Sequence, residues 1–359
     1  MLFRSGKFLS KSRHRNNITF DRNKIKYYYG IPHCHCSYST GKGNPLEIYT
    51  AAIKCGLDFL FLTDHNAFLI TKTKYKDDLM SKWELSTIIT TKAYKNSSNF
   101  IPILGFECKS VYGDLNIINP NSFFTGTVSD IRLLTLWMLN NNNSFISINH
   151  PHKNILNLQY NAILNKLITS IEVCNGNPAS KYTRHDKYYF ALLDRGWKLS
   201  AINGQDNHRI NFADSEYLTA YIGNELSRNS LIDAFRNHRT YSTESKFLKF
   251  HFLLNNTFMG DTLFITSNKL KFSIFVEDVK YRILHIQIIS NKGTIIKSIE
   301  NINLNYIRYF YEHIHEKNET WYVIRVMQEN NKIALSSPIF IEDSRSEERR
   351  VGKECRSRW

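Results

Sequence analysis

Two short motifs near the start of the chain combine side chains that bind metal ions. His33 and His35 are separated by one residue, so in a strand both imidazoles point to the same side and can bind one ion together. Asp64 and His65 follow an apolar run that is typical of a buried strand. Taken singly, each motif is more often structural than functional. Together they indicate activation of water by a bound divalent ion, the chemistry that such ligands support in enzymes.

A helix between the two motifs is predicted by its first residues. Asn44 is a favourable N-cap, Pro45 fits the first helical position, and Glu47 is placed to complete a capping box. The face predicted to point inward consists of Leu46, Tyr49 and Ile53. The order strand, helix, strand, with polar residues at the strand ends, is one unit of a parallel α/β fold whose functional residues lie at the carboxyl ends of the strands.

Later segments place more residues of the same types directly after predicted buried strands. Glu107 and His150 each follow a short apolar run, and Pro151 is expected to hold His150 in an extended conformation. Asp206 and His208 follow another predicted strand and, like the first histidine pair, are separated by one residue. Because the carboxyl ends of parallel strands meet at one edge of a sheet, we expect these side chains to converge.

In this order, the segments resemble the motifs of the polymerase and histidinol phosphatase (PHP) metallohydrolases. The matching stretches are His33-Cys34-His35, Thr63-Asp64-His65, His150 and Gly204-Gln205-Asp206-Asn207-His208. The resemblance covers about residues 28–245 and implies a distorted TIM-like (β/α)7 barrel with a metal centre at one mouth. It implies a catalytic role for His33, His35, His65, Glu107, His150, Asp206 and His208.

The resemblance also implies how two or three ions are bound. The first ion would be held by His33, His35, Glu107 and Asp206, the second by Glu107 and His150, and the third by His65 and His208. Asp114 stands where many relatives have a histidine at the second ion, and is either a ligand or an exposed turn residue. Thr40 replaces an aspartate at the third. We therefore expect two ions or a partly filled set of three, and zinc, manganese and iron are all suitable.

Two residues are candidates for contacting a substrate. Asn175 lies in Ile171-Glu172-Val173-Cys174-Asn175-Gly176, which resembles the family's Ile-Glu-Val-x-Asn-Gly, and it either faces the pocket or forms a turn. Arg184 lies near the N-terminal turn of a helix predicted at about 181–194, where its guanidinium either holds an anionic group or is simply exposed. These positions favour a small anionic substrate.

The hydrophobic pattern changes from helical to alternating after residue 245. Several alternating runs, separated by Asn, Gly and Asp turns, predict antiparallel strands in a small all-β sandwich at about 246–343. A β domain that follows a hydrolase domain, here 25–245, resembles the CehA/McbA-like branch of the PHP family. Residues 1–24 are predicted to be a basic extension, and residues 345–359 resemble a translated sequencing adapter instead of native sequence.

Composition limits the partners that we expect. The net charge of +15 is concentrated at the ends of the chain, so a nucleic-acid partner is not expected. Six cysteines are scattered without the paired spacing of a disulfide framework, which favours a reduced, cytoplasmic setting. No run of about 18 apolar residues is present, so we expect neither secretion nor a membrane span.

The leading functional interpretation is a metal-dependent hydrolase that acts on a phosphoester. The CehA/McbA-like layout leaves carbamate, amide and carboxylic-ester cleavage open, because fold and metal do not determine the substrate. Another class of function, a binding protein whose metal centre is catalytically weak, follows from the substitutions at Thr40 and Asp114. The oligomeric state is left open by the sequence.

Overall fold

A computed structural model describes residues 20–176 and 181–343. Residues 1–19 of the predicted basic extension and the whole adapter-like stretch 345–359 lie outside these ranges. The α-helices of the described residues are α1 (Pro45–Lys54), α2 (Asn66–Leu69), α3 (Lys82–Asn96), α4 (Ile131–Leu139), α5 (Ala162–Leu167), α6 (Asp186–Leu193) and α7 (Arg228–Arg236). None of these helices has both the length and the apolar character needed to cross a membrane.

Strands alternate with helices in the first part of the chain and follow one another in the second. The strands of the first part are β1 (Lys26–Cys34), β2 (Phe59–Leu62), β3 (Lys72–Tyr75), β4 (Asp78–Ser81), β5 (Ile101–Ser110), β6 (Gly113–Ile118), β7 (Phe145–Ile148), β8 (Ile168–Asn175), β9 (Thr183–Arg184), β10 (Ser200–Gly204), β11 (Leu218–Gly223) and β12 (Thr240–Thr243). Those of the second part are β13 (Leu248–Leu254), β14 (Thr257–Phe258), β15 (Thr262–Ile265), β16 (Lys269–Asp278), β17 (Ile283–Ser290), β18 (Thr294–Ile299), β19 (Tyr306–Ile314), β20 (Trp321–Gln328), β21 (Ile333–Ser336) and β22 (Ile339–Asp343).

The first part is built on a mixed sheet in the order β10-β8-β7-β6-β5-β2-β1-β11-β12. The neighbours β1, β2 and β5 are parallel, as are β7, β8 and β10, and β6 joins the two groups in antiparallel orientation. This arrangement confirms the predicted α/β class. The predicted closed barrel is not seen, because no ladder joins β10 to β1 or β11 among the described residues. A side-chain contact takes its place, in which the Asn203 N–H donates to Thr219 Oγ1 over 2.8 Å.

Helix α1 begins as predicted but buries a different face. The Asn44 side chain accepts from the N–H of Glu47, and the Glu47 carboxylate accepts from the N–H of Asn44, so the capping box is confirmed. The buried residues are Pro45, Ile48, Tyr49 and Ala52, so Tyr49 lies inward as predicted, whereas Leu46 and Ile53 are 58% and 46% exposed. The rotation of the helix follows from tertiary packing, since the Tyr49 hydroxyl lies 2.7 Å from Thr90 Oγ1 on α3.

The second part consists of two sheets around a common apolar core. One sheet has the order β14-β13-β16-β19, and the other contains β21, β20, β17 and β18. Their shared core includes Phe250 and Phe252 from β13, Ile274 from β16 and Ile286 and Ile324 from the opposite sheet. These are the strands and the two-layer arrangement that the alternating pattern predicts. Strand β21 also pairs with β12, so one sheet runs continuously through both parts of the chain.

The cysteines of the described residues are free thiols. Cys36 donates its S–H to Asp64 Oδ2 over 2.7 Å, and Cys34 donates to the Phe61 carbonyl over 3.4 Å. Both thiols therefore point away from the side chains of His33 and His35, beside which they lie in the sequence. Both cysteines are buried, as expected for packed residues.

Candidate metal centre

The eight side chains predicted as metal ligands converge in three neighbouring clusters. The clusters consist of His33, His35, Glu107 and Asp206; of Glu107, Asp114 and His150; and of His35, His65 and His208. Within each cluster, one ligand atom from every residue lies within 4.8 Å of the others. Glu107 is shared by the first two clusters, and His35 by the first and third. The histidines and Asp206 lie at or just after the ends of four separate strands, β1, β2, β7 and β10.

The first cluster has the dimensions of a coordination site. His35 Nε2 lies 3.0 Å from Asp206 Oδ1 and 3.3 Å from Glu107 Oε2, and His33 Nε2 lies 3.3 Å from the same aspartate oxygen. Ligand bonds of about 2.0–2.1 Å in a tetrahedral zinc site place neighbouring ligand atoms about 3.3 Å apart. Asp206 Oδ1 is buried and makes no hydrogen bond of good geometry within the described residues. The residues present therefore fit a divalent cation.

Glu107 presents its two oxygens to different histidines. Its Oε1 lies 3.2 Å from His150 Nε2, and its Oε2 lies 3.1 Å from His65 Nδ1. The Asn149 side-chain N–H donates to Oε1 over 2.8 Å, which fixes the plane of the carboxylate. Glu107 is 2% exposed, so a buried negative charge at this position needs cations around it. A carboxylate held in this way can bridge two metal ions.

Glu172 is a member of the centre that the sequence did not reveal. Its Oε1 accepts from His33 Nδ1 over 2.7 Å, which leaves the lone pair of His33 Nε2 directed into the first cluster. Its Oε2 accepts from the backbone N–H of His150 over 2.6 Å and from the Asn175 side chain over 2.8 Å. One carboxylate therefore orients two histidines of different clusters. A glutamate in the otherwise uncharged strand β8 was the available signal, because unpaired charges are rarely buried.

Gly204 leaves the space that Glu172 occupies. A Cβ atom at position 204 would lie 1.8 Å from Glu172 Oε1, well inside the distance of any contact. The glycine at the end of β10 is therefore needed for the position of the carboxylate. This role explains the glycine that precedes Asp206 and His208 in the sequence.

Two members of the centre have unusual backbone conformations. His150 has a φ of +23° and Asp206 has a φ of +48°, and both values are in the positive range that L-residues rarely adopt. The extended conformation predicted for His150 is therefore wrong. The hydrogen bond from its N–H to Glu172 supplies an interaction that favours the observed conformation. Such backbone strain is common where side chains must be aimed at a functional site.

Asp64 supports the loop that follows His35. Its Oδ1 accepts from the N–H of Cys36 over 2.9 Å and from the hydroxyl of Ser39. The carboxylate is thus turned towards the loop and away from the three clusters. His65, the next residue, contributes its ring to the third cluster and is 28% exposed.

The third cluster lies at the edge of the centre and contains a hydroxyl group. His208 Nδ1 donates to the backbone carbonyl of Asp206 over 2.8 Å, so its Nε2 carries the lone pair. The Thr40 hydroxyl lies 3.0 Å from that nitrogen and donates to it. Thr40, which stands where the PHP motif has an aspartate, therefore contacts a predicted ligand directly.

Asp114 belongs to the second cluster, whereas the two predicted substrate contacts, Asn175 and Arg184, interact with other side chains of the protein. Asp114 is grouped with Glu107 and His150, and burial followed by the charge of Glu107 raises its pKa. Asn175 is directed at Glu172, as described above. Arg184 lies in β9, before the helix in which it was predicted, and is already paired with Glu244 at 2.6 Å and with Asp186 at 3.1 Å.

Opposite charges within the centre shift the pKa values of its members. Burial opposes ionisation of the Glu107 and Asp206 carboxyl groups. The surrounding imidazoles nevertheless hold the pKa values of both groups below the usual range. Burial also opposes protonation of His150, yet its hydrogen bond to Glu107 and the charge of Glu172 raise its pKa to about 9. The pKa of His33 is raised in the same way by the surrounding carboxylates, against the effect of burial. Without an ion, protonated imidazoles therefore balance the carboxylates at neutral pH.

We expect metal binding to release protons at pH 7. The pKa values of His33 and His150 are raised, and both imidazoles must be neutral to become ligands. Calorimetric titration with zinc or manganese in two buffers of different ionisation enthalpy should give at least about one proton per ion. Affinity should fall as the pH is lowered from about 9 towards 6, through the raised pKa of His150. Equal heats in both buffers, with an affinity independent of pH, would contradict this geometry.

Comparison with known proteins gives a fold. No protein-family model matches the chain, and no curated protein is similar to it. A solved two-domain protein from Bacteroides vulgatus ATCC 8482, described as containing a predicted PHP-like metal-dependent phosphoesterase, aligns with a TM-score of 0.50 and 16% identity. The alignment covers 92% of this chain and 99% of that one. The chain has the fold of that two-domain protein.

Two other solved structures align with about half of this chain. PsfC from Pseudomonas syringae PB-5123 has a TM-score of 0.34 and 13% identity, over 55% of this chain and 82% of its own. An amidohydrolase from Chromobacterium violaceum, with bound sulfate and no metal, has a TM-score of 0.33 and 13% identity, over 51% of this chain and 88% of its own. A shared fold does not determine the reaction, which depends on the chemistry of the site.

Proposed function

We propose that this protein is a metal-dependent hydrolase of the PHP type that cleaves phosphoesters. The observation that carries the proposal is the position of Glu107, whose Oε2 lies 3.3 Å from His35 of the first cluster and whose Oε1 lies 3.2 Å from His150 of the second. A shared carboxylate lets two divalent ions lie a few ångströms apart, the arrangement that many phosphoesterases use for the attacking and leaving oxygens. The description of the Bacteroides vulgatus neighbour as containing a PHP-like metal-dependent phosphoesterase supports this choice of reaction.

The proposed centre binds two ions firmly and a third weakly. The first is bound by His33, His35, Glu107 and Asp206, and the second by Glu107, Asp114 and His150. A third ion would need His35 as well, but its Nε2 has one lone pair and lies 3.0 Å from Asp206 in the first cluster. His65 and His208 then remain, with the Thr40 hydroxyl beside them instead of a carboxylate. Zinc, manganese and iron all suit this mixture of imidazole and carboxylate ligands.

His208 is proposed to handle protons at the edge of the centre. Burial and the adjacent His35 hold the pKa of His208 below its usual value, so the ring is neutral at pH 7. Its Nε2 has a lone pair and is 3.0 Å from the Thr40 hydroxyl, at a site that is 35% exposed. When no third ion occupies His208, its neutral imidazole can accept a proton from the attacking water and return it to the leaving oxygen. Bound divalent ions lower the pKa of water and stabilise negative charge on a phosphoryl oxygen.

The substrate is proposed to be a small anionic phosphoester. Arg184 is already paired with Glu244 and Asp186, so the divalent ions balance most of the substrate's negative charge. The β sandwich after the α/β part supports the finer assignment to the CehA/McbA-like branch, in which such a domain follows the hydrolase. The same metal chemistry can also cleave carbamates, amides or carboxylic esters, and experiment distinguishes these reactions from phosphoester cleavage.

A substrate panel tests the proposal. Metal-reconstituted protein is assayed with p-nitrophenyl phosphate, bis(p-nitrophenyl) phosphate and p-nitrophenyl acetate, with added manganese or zinc. We expect metal-dependent hydrolysis of at least one phosphoester, and preference for the acetate would favour an esterase instead. His35→Ala is the matched inactive control, because it removes a ligand from the first cluster. If His35→Ala hydrolyses these substrates at the parental rate, the activity belongs to a contaminant. If the parental protein turns over none of them, a binding protein is favoured.

A further inference from the structure

Strand β19 is an edge strand with apolar residues on its exposed side. It ends the sheet β14-β13-β16-β19, and no other strand of the described part of the chain pairs with its outer edge. Its nine residues alternate between exposed and partly buried. Tyr306, Phe310 and Ile314 are 49%, 72% and 57% exposed. Edge strands that must stay unpaired are usually short, bulged or rich in lysine, and β19 has none of these features.

The outer edge of β19 presents the backbone groups of its even-numbered residues. Near one end of the ladder with β16, the Asp278 N–H donates to the Asn305 carbonyl over 2.8 Å. Near the other end, the His315 N–H donates to the Asn268 carbonyl over 2.7 Å. The register between these points is continuous, and bonded pairs alternate with non-bonded pairs in an antiparallel ladder. Odd-numbered residues of β19 therefore bond to β16, and even-numbered residues direct their N–H and C=O groups outward.

The even-numbered residues are also the exposed ones, and their order is self-complementary. Phe310 is at the centre, Arg308 and Glu312 flank it at equal distances, and Tyr306 and Ile314 lie beyond them. A second β19 strand, placed antiparallel with its own Phe310 opposite this one, brings each Arg308 opposite a Glu312. The same register brings each Tyr306 opposite an Ile314. Directly opposed charges of unlike sign, and aromatic residues opposite β-branched residues, both stabilise antiparallel pairs.

We propose that β19 forms a two-fold symmetric dimer with β19 of a second copy of this chain, in the register centred on Phe310. The pairing joins two sheets of four strands into one continuous sheet, and the same surface serves both copies. Existing contacts do not prevent it. Glu312 is paired with Lys271 at 3.2 Å, but both side chains are more than 70% exposed, so that pair is weak. The Arg308 guanidinium lies over the Phe275 ring at 5.8 Å and has no carboxylate partner among the described ion pairs.

Charge reversal at two positions tests the register as well as the dimer. The full chain is studied by analytical ultracentrifugation over a range of micromolar concentrations. Arg308→Glu places two pairs of like charges across the interface, as does Glu312→Arg, and each should raise the dimer dissociation constant at least about tenfold. The double variant Arg308→Glu, Glu312→Arg restores unlike charges at both places and should recover the parental dissociation constant. Circular dichroism of each single variant should match the parental spectrum, so that loss of the dimer is not loss of folding.

A backbone change tests the hydrogen bonds across the edge. Phe310→Pro removes an N–H that points outward and no bond to β16, so it should abolish the dimer without lowering the content of folded protein. Leu79→Lys, which replaces another exposed apolar side chain in the β3–β4 hairpin, is the control and should leave the dimer unchanged. A full chain that is monomeric at all concentrations would overturn the proposal. So would a dimer that persists in Arg308→Glu, or a double variant that does not recover.

Discussion

Replacing Glu107 with glutamine is expected to lower the rate of phosphoester hydrolysis at least about a thousandfold. Glutamine keeps the shape of the side chain but offers one carbonyl oxygen, so it cannot serve two ions. Its amide nitrogen would face His65 or His150, where a negative oxygen now lies 3.1 or 3.2 Å from a ring nitrogen. The measurement is kcat/KM of the metal-reconstituted variant, together with its metal content after purification without chelator.

A matched control separates this effect from a general loss of charge. Glu300→Gln makes the same chemical change at an exposed position after β18 and should alter neither kcat/KM nor metal content. Circular dichroism of Glu107→Gln should show the parental content of helix and strand. If the variant retains two ions per chain and loses less than about tenfold in kcat/KM, the shared carboxylate is not part of a catalytic centre.

Replacing Glu172 with glutamine is expected to weaken metal binding by about 10- to 100-fold, although Glu172 belongs to none of the three clusters. The carboxylate accepts hydrogen bonds from His33 on one oxygen and from the N–H of His150 on the other. Glutamine has one accepting oxygen, so at least one of these two histidines loses its orientation. Affinity is measured by competition with a chromogenic chelator, and kcat/KM should fall in the same order.

Gly204→Ala gives an independent test of the same role. The added methyl group would lie 1.8 Å from Glu172 Oε1 and must displace the carboxylate, while the φ of Gly204 is one that alanine also adopts. The variant changes no charge and no ligand, yet it should weaken metal binding in the same direction as Glu172→Gln. Parental affinity in both variants would show that Glu172 does not orient the histidines.

Local periodicity predicted two pairs of residues in the centre, and the resemblance to the PHP motifs implied the others. In a strand, residues two apart share a side, so the pair His33 and His35 was expected to point together, and their ring nitrogens lie 3.1 Å apart. Asp206 and His208 were singled out for the same spacing, and both lie in the centre. The N-terminus of α1 was equally local, since a capping box involves only residues three positions apart.

Features that depend on distant residues were missed. Glu172 contacts His33 across 139 positions of the sequence, and no local pattern links the two. The buried face of α1 is set by α3, and the backbone of His150 by Glu172, so both predictions were wrong for tertiary reasons. Closure of the sheet was expected from the family, but at Asn203 the register of β10 shifts and a side chain of β11 replaces the ladder.

Anomalous diffraction from crystals grown with manganese or zinc tests the central claim most directly, because it locates ions without reference to activity. We expect one strong peak among His33, His35, Glu107 and Asp206 and another among Glu107, Asp114 and His150. A peak beside His65 and His208 should be weaker or missing, since His35 is committed to the first ion. Strong peaks only elsewhere in the molecule, with none within about 2.5 Å of these side chains, would contradict the assignment.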